Sequence, residues 1–324
     1  MPLFDRAALD DAVELVRMLV PPTPQYAWPS LQARTGIEIV VKHENHTPTG
    51  AFKVRGGMTY MAALAEAGDL PAGLVTATRG NHGQTFALVA SRYDLPCCIV
   101  VPEGNSSEKN AAMRAFGGEI IIAGRDFDEA RAHAAELERA RGWHRVPSFH
   151  PELVRGVATY ALELFSARPD LATVYVPIGM GSGICAVITV RDLLGLDTEI
   201  VGVVASGAPA YARAFETGTP VVLKQALTFA DGMACREPQP DALTIIRAGA
   251  ARVVEVSDHE IAEAMRILYA DTHNVAEGAG AAGLAALLKE RAQLADRAAG
   301  FVLCGGNIDG DRFATVLQGG TPVP

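Results

Sequence analysis

His43-Glu44-Asn45-His46-Thr47-Pro48-Thr49-Gly50-Ala51-Phe52-Lys53-Val54-Arg55-Gly56-Gly57 is the stretch on which the reading of this chain turns. Lys53 lies between an apolar Ala-Phe pair and, beyond Val54 and Arg55, a Gly-Gly step, which is not the setting of a solvated surface lysine. Burial disfavours the charged amine and lowers its pKa, and an unprotonated amine attacks an aldehyde to form a Schiff base. Alone, Lys53 also reads as a helix lysine that follows Phe52. The neighbouring Pro-Thr-Gly and Arg-Gly-Gly argue for the amine chemistry.

The surrounding chain is ordinary in bulk. It has 324 residues, 49% hydrophobic and 20% charged, enough for one large or two medium domains. A formal net charge of -9 argues against a nucleic-acid partner held by a basic surface. The longest apolar runs are strand-sized, so no membrane span is expected. The start, Met1-Pro2-Leu3-Phe4-Asp5-Arg6, lacks a basic segment followed by an apolar one and reads as carrying no secretory signal. The five cysteines, Cys97, Cys98, Cys185, Cys235 and Cys304, are odd in number and follow no framework spacing, which fits reduced thiols in a cytoplasm. No Cys-x-x-Cys or His-Glu-x-x-His pair points to zinc.

Apolar runs read as strands over 37–41, 73–77, 98–102, 119–123, 173–177, 200–204, 252–256 and 300–304. Several are continuous, as strands covered on both faces require. Helical periodicity fills gaps between them, as over 7–19, 84–92, 126–141, 154–166, 258–269 and 279–288. Asp258 and Asp126 stand where helix-starting residues are expected. The alternation predicts an α/β fold with a largely parallel sheet. Composition sets no domain boundary.

Five more segments carry signals of chemistry, three stronger and two weaker. Thr78-Arg79-Gly80-Asn81-His82-Gly83-Gln84 follows an expected strand, and a strand–glycine–helix turn presents N–H groups suited to an anion. Pro177-Ile178-Gly179-Met180-Gly181-Ser182-Gly183 follows another; glycines admit a phosphate close to the backbone, and the next helix adds positive partial charge. A dinucleotide fingerprint would need glycine at 184, which is Ile184. Leu303-Cys304-Gly305-Gly306-Asn307-Ile308-Asp309 ends a third strand, and its thiol reads either as a site residue or as a buried structural cysteine. Glu277-Gly278-Ala279-Gly280-Ala281 and Ala230-Asp231-Gly232-Met233-Ala234-Cys235-Arg236 are weaker signals, and Asp231 is equally a turn residue.

Together, in this order over roughly residues 20 to 310, the motifs resemble the pyridoxal phosphate enzymes of the tryptophan-synthase-β type (fold type II), and within them the serine/threonine dehydratase branch. The resemblance implies two domains, each an open, mostly parallel twisted sheet flanked by helices. The large, cofactor-binding domain would take residues 1–55 and 152–324, and the small, substrate-side domain 56–151. It implies pyridoxal 5'-phosphate carried by Lys53 behind Phe52, with the phosphate on Gly179, Met180, Gly181, Ser182 and Gly183. Cys304 would face the pyridine nitrogen as a neutral partner, which makes the ring a weaker electron sink and suits β-elimination. Asn81 would contact the ring, with Glu277 behind it. Thr78, Arg79, Gly80, Asn81 and His82 would form the substrate carboxylate loop, and Asp231 and Gly232 the substrate side. A homo-oligomer, dimer or tetramer, is also implied.

The Lys-x-Arg-Gly pattern, with Val54 after the lysine, favours the dehydratase branch over the cysteine and threonine synthases, which usually have Lys-Asp-Arg. The chain ends soon after Asn307, so no isoleucine feedback through a C-terminal regulatory domain is expected. Several relatives bind Mg²⁺ or Ca²⁺ with carboxylates after a Gly-Val step; the matching stretch from Gly202 to Ala210 has none, so no metal is expected there. Dehydratases usually have Ala or Ser at the position of Arg79, and racemases use a Ser there as acid/base. Arginine is a poor proton shuttle, which argues against racemisation. Arg79 is left with two readings, a ligand for a second substrate carboxylate or a structural pair with a nearby acid. The implied activity is an ammonia-lyase releasing a 2-oxo acid and ammonia from a 3-hydroxy-α-amino acid: threonine, serine, 3-hydroxyaspartate or a phenylserine-like substrate. Another β-elimination or β-replacement enzyme of this fold, or a non-catalytic amino-acid-binding regulator, are the alternatives.

Overall fold

Among the residues that the computed structural model describes, 3–294 and 297–324, ten strands form two sheets. In chain order they are β1 (Gln25–Ala27), β2 (Ile39–His43), β3 (Leu74–Ala77), β4 (Cys97–Val101), β5 (Glu119–Ile122), β6 (His144–Arg145), β7 (Thr173–Pro177), β8 (Glu199–Ala205), β9 (Arg252–Val256) and β10 (Ala299–Leu303). The six-stranded sheet runs β1-β2-β10-β7-β8-β9 and the four-stranded sheet β5-β4-β3-β6. Every pairing is parallel except β1 with β2. The α/β reading therefore stands. The Met1-Pro2 start of the N-terminal reading lies outside the described residues.

The strands follow from their composition. β2, β4 and β10 are buried at every position, as parallel strands with helices on both faces must be. In the smaller sheet alternate residues serve two cores. Leu74, Cys97 and Ile99 meet Met58, Met61 and Phe86 on one face, whereas Val75, Cys98 and Val100 meet Ala130 and Ala134 on the other. The largest core surrounds the six-stranded sheet and takes in the helices Pro151–Ala167, Ser182–Leu193, Asp258–Thr272 and Gly278–Lys289.

Two helices join the sheets. Lys53–Glu66 and Pro151–Ala167 cross at glycines: a Cβ on Gly56 would lie 2.5 Å from the Leu153 carbonyl oxygen, and one on Gly156 would lie 2.2 Å from that of Arg55. Close approach of two backbones is what glycine permits here.

Two strands, β1 and β6, escape the sequence reading because they are only three and two residues long. One cap is corrected. Asp126 does cap its helix, accepting from Glu129 N at 2.9 Å. Asp258 does not: Ser257 is the cap and forms a capping box with Glu260. The Asp258 carboxylate instead accepts from Thr228 Oγ1 and Phe229 N at 2.5 and 3.1 Å.

Candidate active site

The motif loops converge at the carboxyl ends of the strands, where ligands of open α/β sheets bind. Thr78 follows β3, Ile178 follows β7, and Cys304 follows β10. Lys53 opens the helix Lys53–Glu66, reached from β2 through the turn at Glu44–His46. Because β10 lies beside β2, with Leu303 opposite His43, loops from distant parts of the chain meet. Phe52 N donates to Cys304 O at 3.1 Å and Gly306 N to Gly50 O at 2.9 Å. Ala51 and Gly305 form an isolated β-bridge. Asn307 Nδ2 donates to Thr49 O at 2.8 Å.

Lys53 is the centre of this arrangement. Burial lowers its pKa, against the opposing pull of Cys304 and Glu277. Its Nζ lies 4.9 Å from the centroid of the Phe52 ring, which packs edge-on against Tyr160. The Cys304 thiol is buried and pushed up by that burial, so it stays neutral. His82 is held at about 3 by burial and by Lys53, so its ring is uncharged at neutral pH. Its Nε2 is buried and has no hydrogen-bond partner among the described residues.

A polar chain crosses the site. Asn81 accepts from Asn307 Nδ2 at 2.9 Å and donates to Glu277 Oε1 at 2.6 Å. Lys109 Nζ lies 3.6 Å from Glu277 Oε2 and 3.3 Å from Asp231 Oδ2. Arg79 Nη1 closes the chain, 3.2 Å from Asp231 Oδ1. Burial raises the pKa of Glu277. Burial also works against the Lys109 charge, but Glu277 and Asp231 outweigh it and raise its pKa. Arg79, Lys109, Asp231, Gly232, Glu277 and Asn307 line one cleft.

Of the remaining expected residues, Thr78 is buried and its Oγ1 accepts from Gly80 N at 3.0 Å. A Cβ on Gly80 would lie 2.6 Å from Lys109 Cδ, so the glycine leaves room for that lysine's stem. Gly181 has φ +100° and caps the helix Ser182–Leu193, with Ser182 buried at its first position. A Cβ on Gly179 would lie 2.1 Å from the Gly232 carbonyl oxygen. Gly183 approaches both Tyr160 and Phe52. Met180 packs against the large core, and Tyr211 Oη donates to its carbonyl at 3.1 Å.

Sequence reasoning missed Lys109, whose Ser106–Asn110 setting reads as any polar helix start. It also passed over Lys42, Glu44 and Glu163, buried charges that meet Arg55 behind Lys53. The one signal was Lys42 itself, a lysine inside an otherwise apolar strand. Among the described residues no group of three or more His, Cys, Asp or Glu is arranged to hold a metal ion.

A buried, deprotonation-prone amine, a neutral thiol and a glycine-lined helix N-terminus suit an aldehyde cofactor that bears a phosphate. The chain belongs to the pyridoxal-phosphate dependent enzyme family, whose model matches residues 16–305. It is 36% identical to the L-threonine ammonia-lyase of Geobacter sulfurreducens, over 89% of this chain and 71% of that protein. It is 31% identical to an L-threo-3-hydroxyaspartate ammonia-lyase of a Pseudomonas species, over 92% and 93%. Against the biosynthetic L-threonine dehydratase of Salmonella typhimurium, 34% identical, it spans 55% of that protein's length. The processed threonine deaminase isoform 2 of Solanum lycopersicum superposes with a TM-score of 0.88 at 26% identity, over 98% of this chain and 95% of that one. A pyridoxal 5'-phosphate-dependent aspartate racemase also gives 0.88 at 26% identity, over 95% and 97%. The fold is that of the fold type II enzymes.

Proposed function

We propose that the protein is a pyridoxal-phosphate-dependent ammonia-lyase that removes water from a 3-hydroxy-α-amino acid and yields a 2-oxo acid and ammonia. The observation that carries this reading is Lys53: an amine whose pKa burial lowers, set beside Cys304 and Glu277 where two anion-suited loops converge. The relatives named as threonine and 3-hydroxyaspartate ammonia-lyases support the same reaction type.

In this reading Lys53 holds the cofactor and Gly179, Met180, Gly181, Ser182 and Gly183 hold its phosphate, with Phe52 packed beside the lysine. When bound, pyridoxal phosphate supplies an electron sink for the substrate's Cα. The loop from Thr78 to His82 takes the substrate carboxylate, using backbone N–H groups and a neutral His82. Once the substrate amine has displaced it, the freed Lys53, unprotonated, removes the Cα proton as general base. Cys304 would offer the ring nitrogen a neutral thiol. Asn81 is held in place by Glu277 and Asn307 and keeps one Nδ2 hydrogen for the ring. The 3-hydroxyl leaves as water, taking up one proton for the one removed from Cα; the released enamine tautomerises to an imine, which water hydrolyses to the 2-oxo acid and ammonia.

The Arg79–Asp231 pair supports the structural reading of Arg79, with Asp231 as its anchor at the substrate side. The division into residues 1–55 with 152–324 and residues 56–151 is supported by the two separate sheets; its boundaries fall at the helices Lys53–Glu66 and Pro151–Ala167. We also propose a homo-oligomer working in the cytoplasm; among the described residues no helix is long and apolar enough to cross a membrane.

The test is 2-oxo acid release by the holoenzyme from threonine, serine, 3-hydroxyaspartate and 3-phenylserine, in threo and erythro forms, with and without EDTA. Release from at least one, abolished in Lys53→Ala, is expected. Full turnover in Lys53→Ala, or none in the wild type on any substrate, overturns the reading.

A further inference from the structure

Behind Lys53, on the side away from the cleft, lies a group of charges with a geometry that solubility does not require. Arg55 has no exposed surface. Its guanidinium forks onto two carboxylates. Nε and Nη2 donate to Glu44 at 2.8 and 2.9 Å, and Nη1 and Nη2 donate to Glu163 at 2.8 and 3.1 Å. The fifth N–H goes to Thr159 Oγ1 at 2.9 Å. Every donor of the side chain is therefore used. Lys42 Nζ completes the group, donating to Glu163 at 2.5 Å and to Thr23 O at 2.9 Å. Two cations face two anions, so the cluster is neutral as a whole.

Such a cluster is a poor source of stability, because apolar residues of similar volume often do as well without desolvating charge. What it supplies is direction. A bidentate fork fixes the plane and distance of its partners, which packed methyl groups do not. The partners here are informative. Glu44 directly follows β2, the strand that precedes the lysine loop, and Arg55 stands in the first turn of the helix that Lys53 opens. The Glu44–Arg55 fork thus closes the base of the loop that carries Lys53. The loop's other side is tied to Cys304, Gly306 and Asn307. Thr159 and Glu163 belong to the helix Pro151–Ala167, which also carries Tyr160. Tyr160 Oη donates to Gly183 O at 3.3 Å, and its ring meets Phe52. The same helix face therefore touches the lysine loop and the glycine loop after β7.

We propose that Arg55, with Glu44, Glu163 and Lys42, is a positioning residue that fixes the direction of the Lys53 amine relative to the Gly179–Gly183 loop. This rests on Lys53 being the cofactor lysine. Arg55 touches no reacting atom; it acts by holding the first turn of the helix and the helix beside it in one orientation. Misplacement of a reacting group by about an ångström costs on the order of a hundredfold in rate, which sets the scale of the effect.

The experiment compares wild-type, Arg55→Lys and Thr159→Val holoenzymes. Arg55→Lys keeps the charge and loses both forks. Thr159→Val is isosteric, removes one bond to Arg55 and leaves the ion pairs. Four quantities are read: the melting temperature, the fraction of chains trapped at Lys53 by borohydride and found by mass spectrometry, the pH midpoint of the visible band, and kcat with KM. The expected result for Arg55→Lys is a roughly tenfold to hundredfold loss of kcat with KM little changed, and a displaced band midpoint. Thr159→Val shifts both in the same direction by less. A folded Arg55→Lys with wild-type midpoint and kcat overturns the proposal. If Arg55→Lys does not fold, wild-type values in Thr159→Val overturn it. Absence of trapping at Lys53 in the wild type is a different result: it removes the functional reading itself.

Discussion

Asn81 Nδ2 donates to Glu277 Oε1 at 2.6 Å, and this contact joins the loop after β3 to the start of the helix Gly278–Lys289. It makes Glu277 the junction of the site. One oxygen holds Asn81, the other lies near Lys109, and the carboxylate also acts on the Lys53 amine.

The junction carries a pH consequence. The Glu277 charge pulls the Lys53 pKa upward against burial. Glu277→Gln keeps an oxygen for Asn81 and removes that charge. The pH midpoint of the visible band of the holoenzyme is therefore expected to move to lower pH, and with it the acidic limb of kcat/KM. A shift to higher pH would assign the controlling charge to another residue.

Lys109 is nearly buried between two acids, and removing one partner of a buried pair costs about 3–5 kcal/mol. Asp231 is partly open to solvent, so the loss in Lys109→Met should fall near the lower end of that range. Adding Glu277→Gln to Lys109→Met is expected to recover part of it, since Asp231 still has Arg79 and the carboxylate left stranded is the buried Glu277. Denaturant unfolding of the single and double variants measures the coupling; strict additivity would rule it out.

His43 is fully buried, and burial holds it at about 4 against the ordinary 6.5. A depressed folded-state pKa means that the unfolded chain binds the proton more readily. Its stabilising effect is therefore complete above about pH 6.5 and is lost as the pH falls toward 4, by roughly 3 kcal/mol at most. His82, at about 3, adds to the same trend. His43→Gln retains an acceptor for Trp28 Nε1, which donates to His43 Nε2 at 3.0 Å. Urea unfolding between pH 7 and 4 should lose less stability in that variant than in the wild type.

Gly156→Ala tests the crossing of the helices Lys53–Glu66 and Pro151–Ala167. Its Cβ would meet the Arg55 carbonyl oxygen at 2.2 Å and Thr59 Oγ1 at 2.3 Å. Backbone cannot yield as a flexible side chain does, so a cost of about 1–3 kcal/mol or more is expected. Cofactor trapping at Lys53 should fall as well. A variant that melts with the wild type would mean that the helices part without strain.

The layered α/β architecture was legible because continuous apolar runs such as Val40-Val41 and Val174-Tyr175-Val176 mark doubly covered strands. The motif loops were legible for the same reason: each follows such a run, so its position at a strand end is fixed with the strand. What escaped depends on distance along the chain. Nothing local marks Lys109 as the partner of residues more than a hundred positions away. Of the two readings of Arg79, the structure contains a pair with an acid, Asp231, supplied by a distant turn. Ser257 and Asp258 are adjacent and both suited to cap a helix; the choice between them is settled by Thr228 and Phe229, which engage Asp258 from outside the helix.

The position of β10 between β2 and β7 has a consequence for biosynthesis. Strands β3 to β6 are contiguous in sequence and can assemble while the ribosome is still at work on the remainder. The six-stranded sheet has a central gap until residues 299–303 emerge, and the loop bearing Cys304 and Asn307 follows them. The Lys53 loop is made long before that segment, yet its ties to Cys304, Gly306 and Asn307 must wait for it. A nascent chain of this enzyme therefore has no finished cleft, and the surroundings of its Lys53 amine are incomplete, until residues 299–307 have been made.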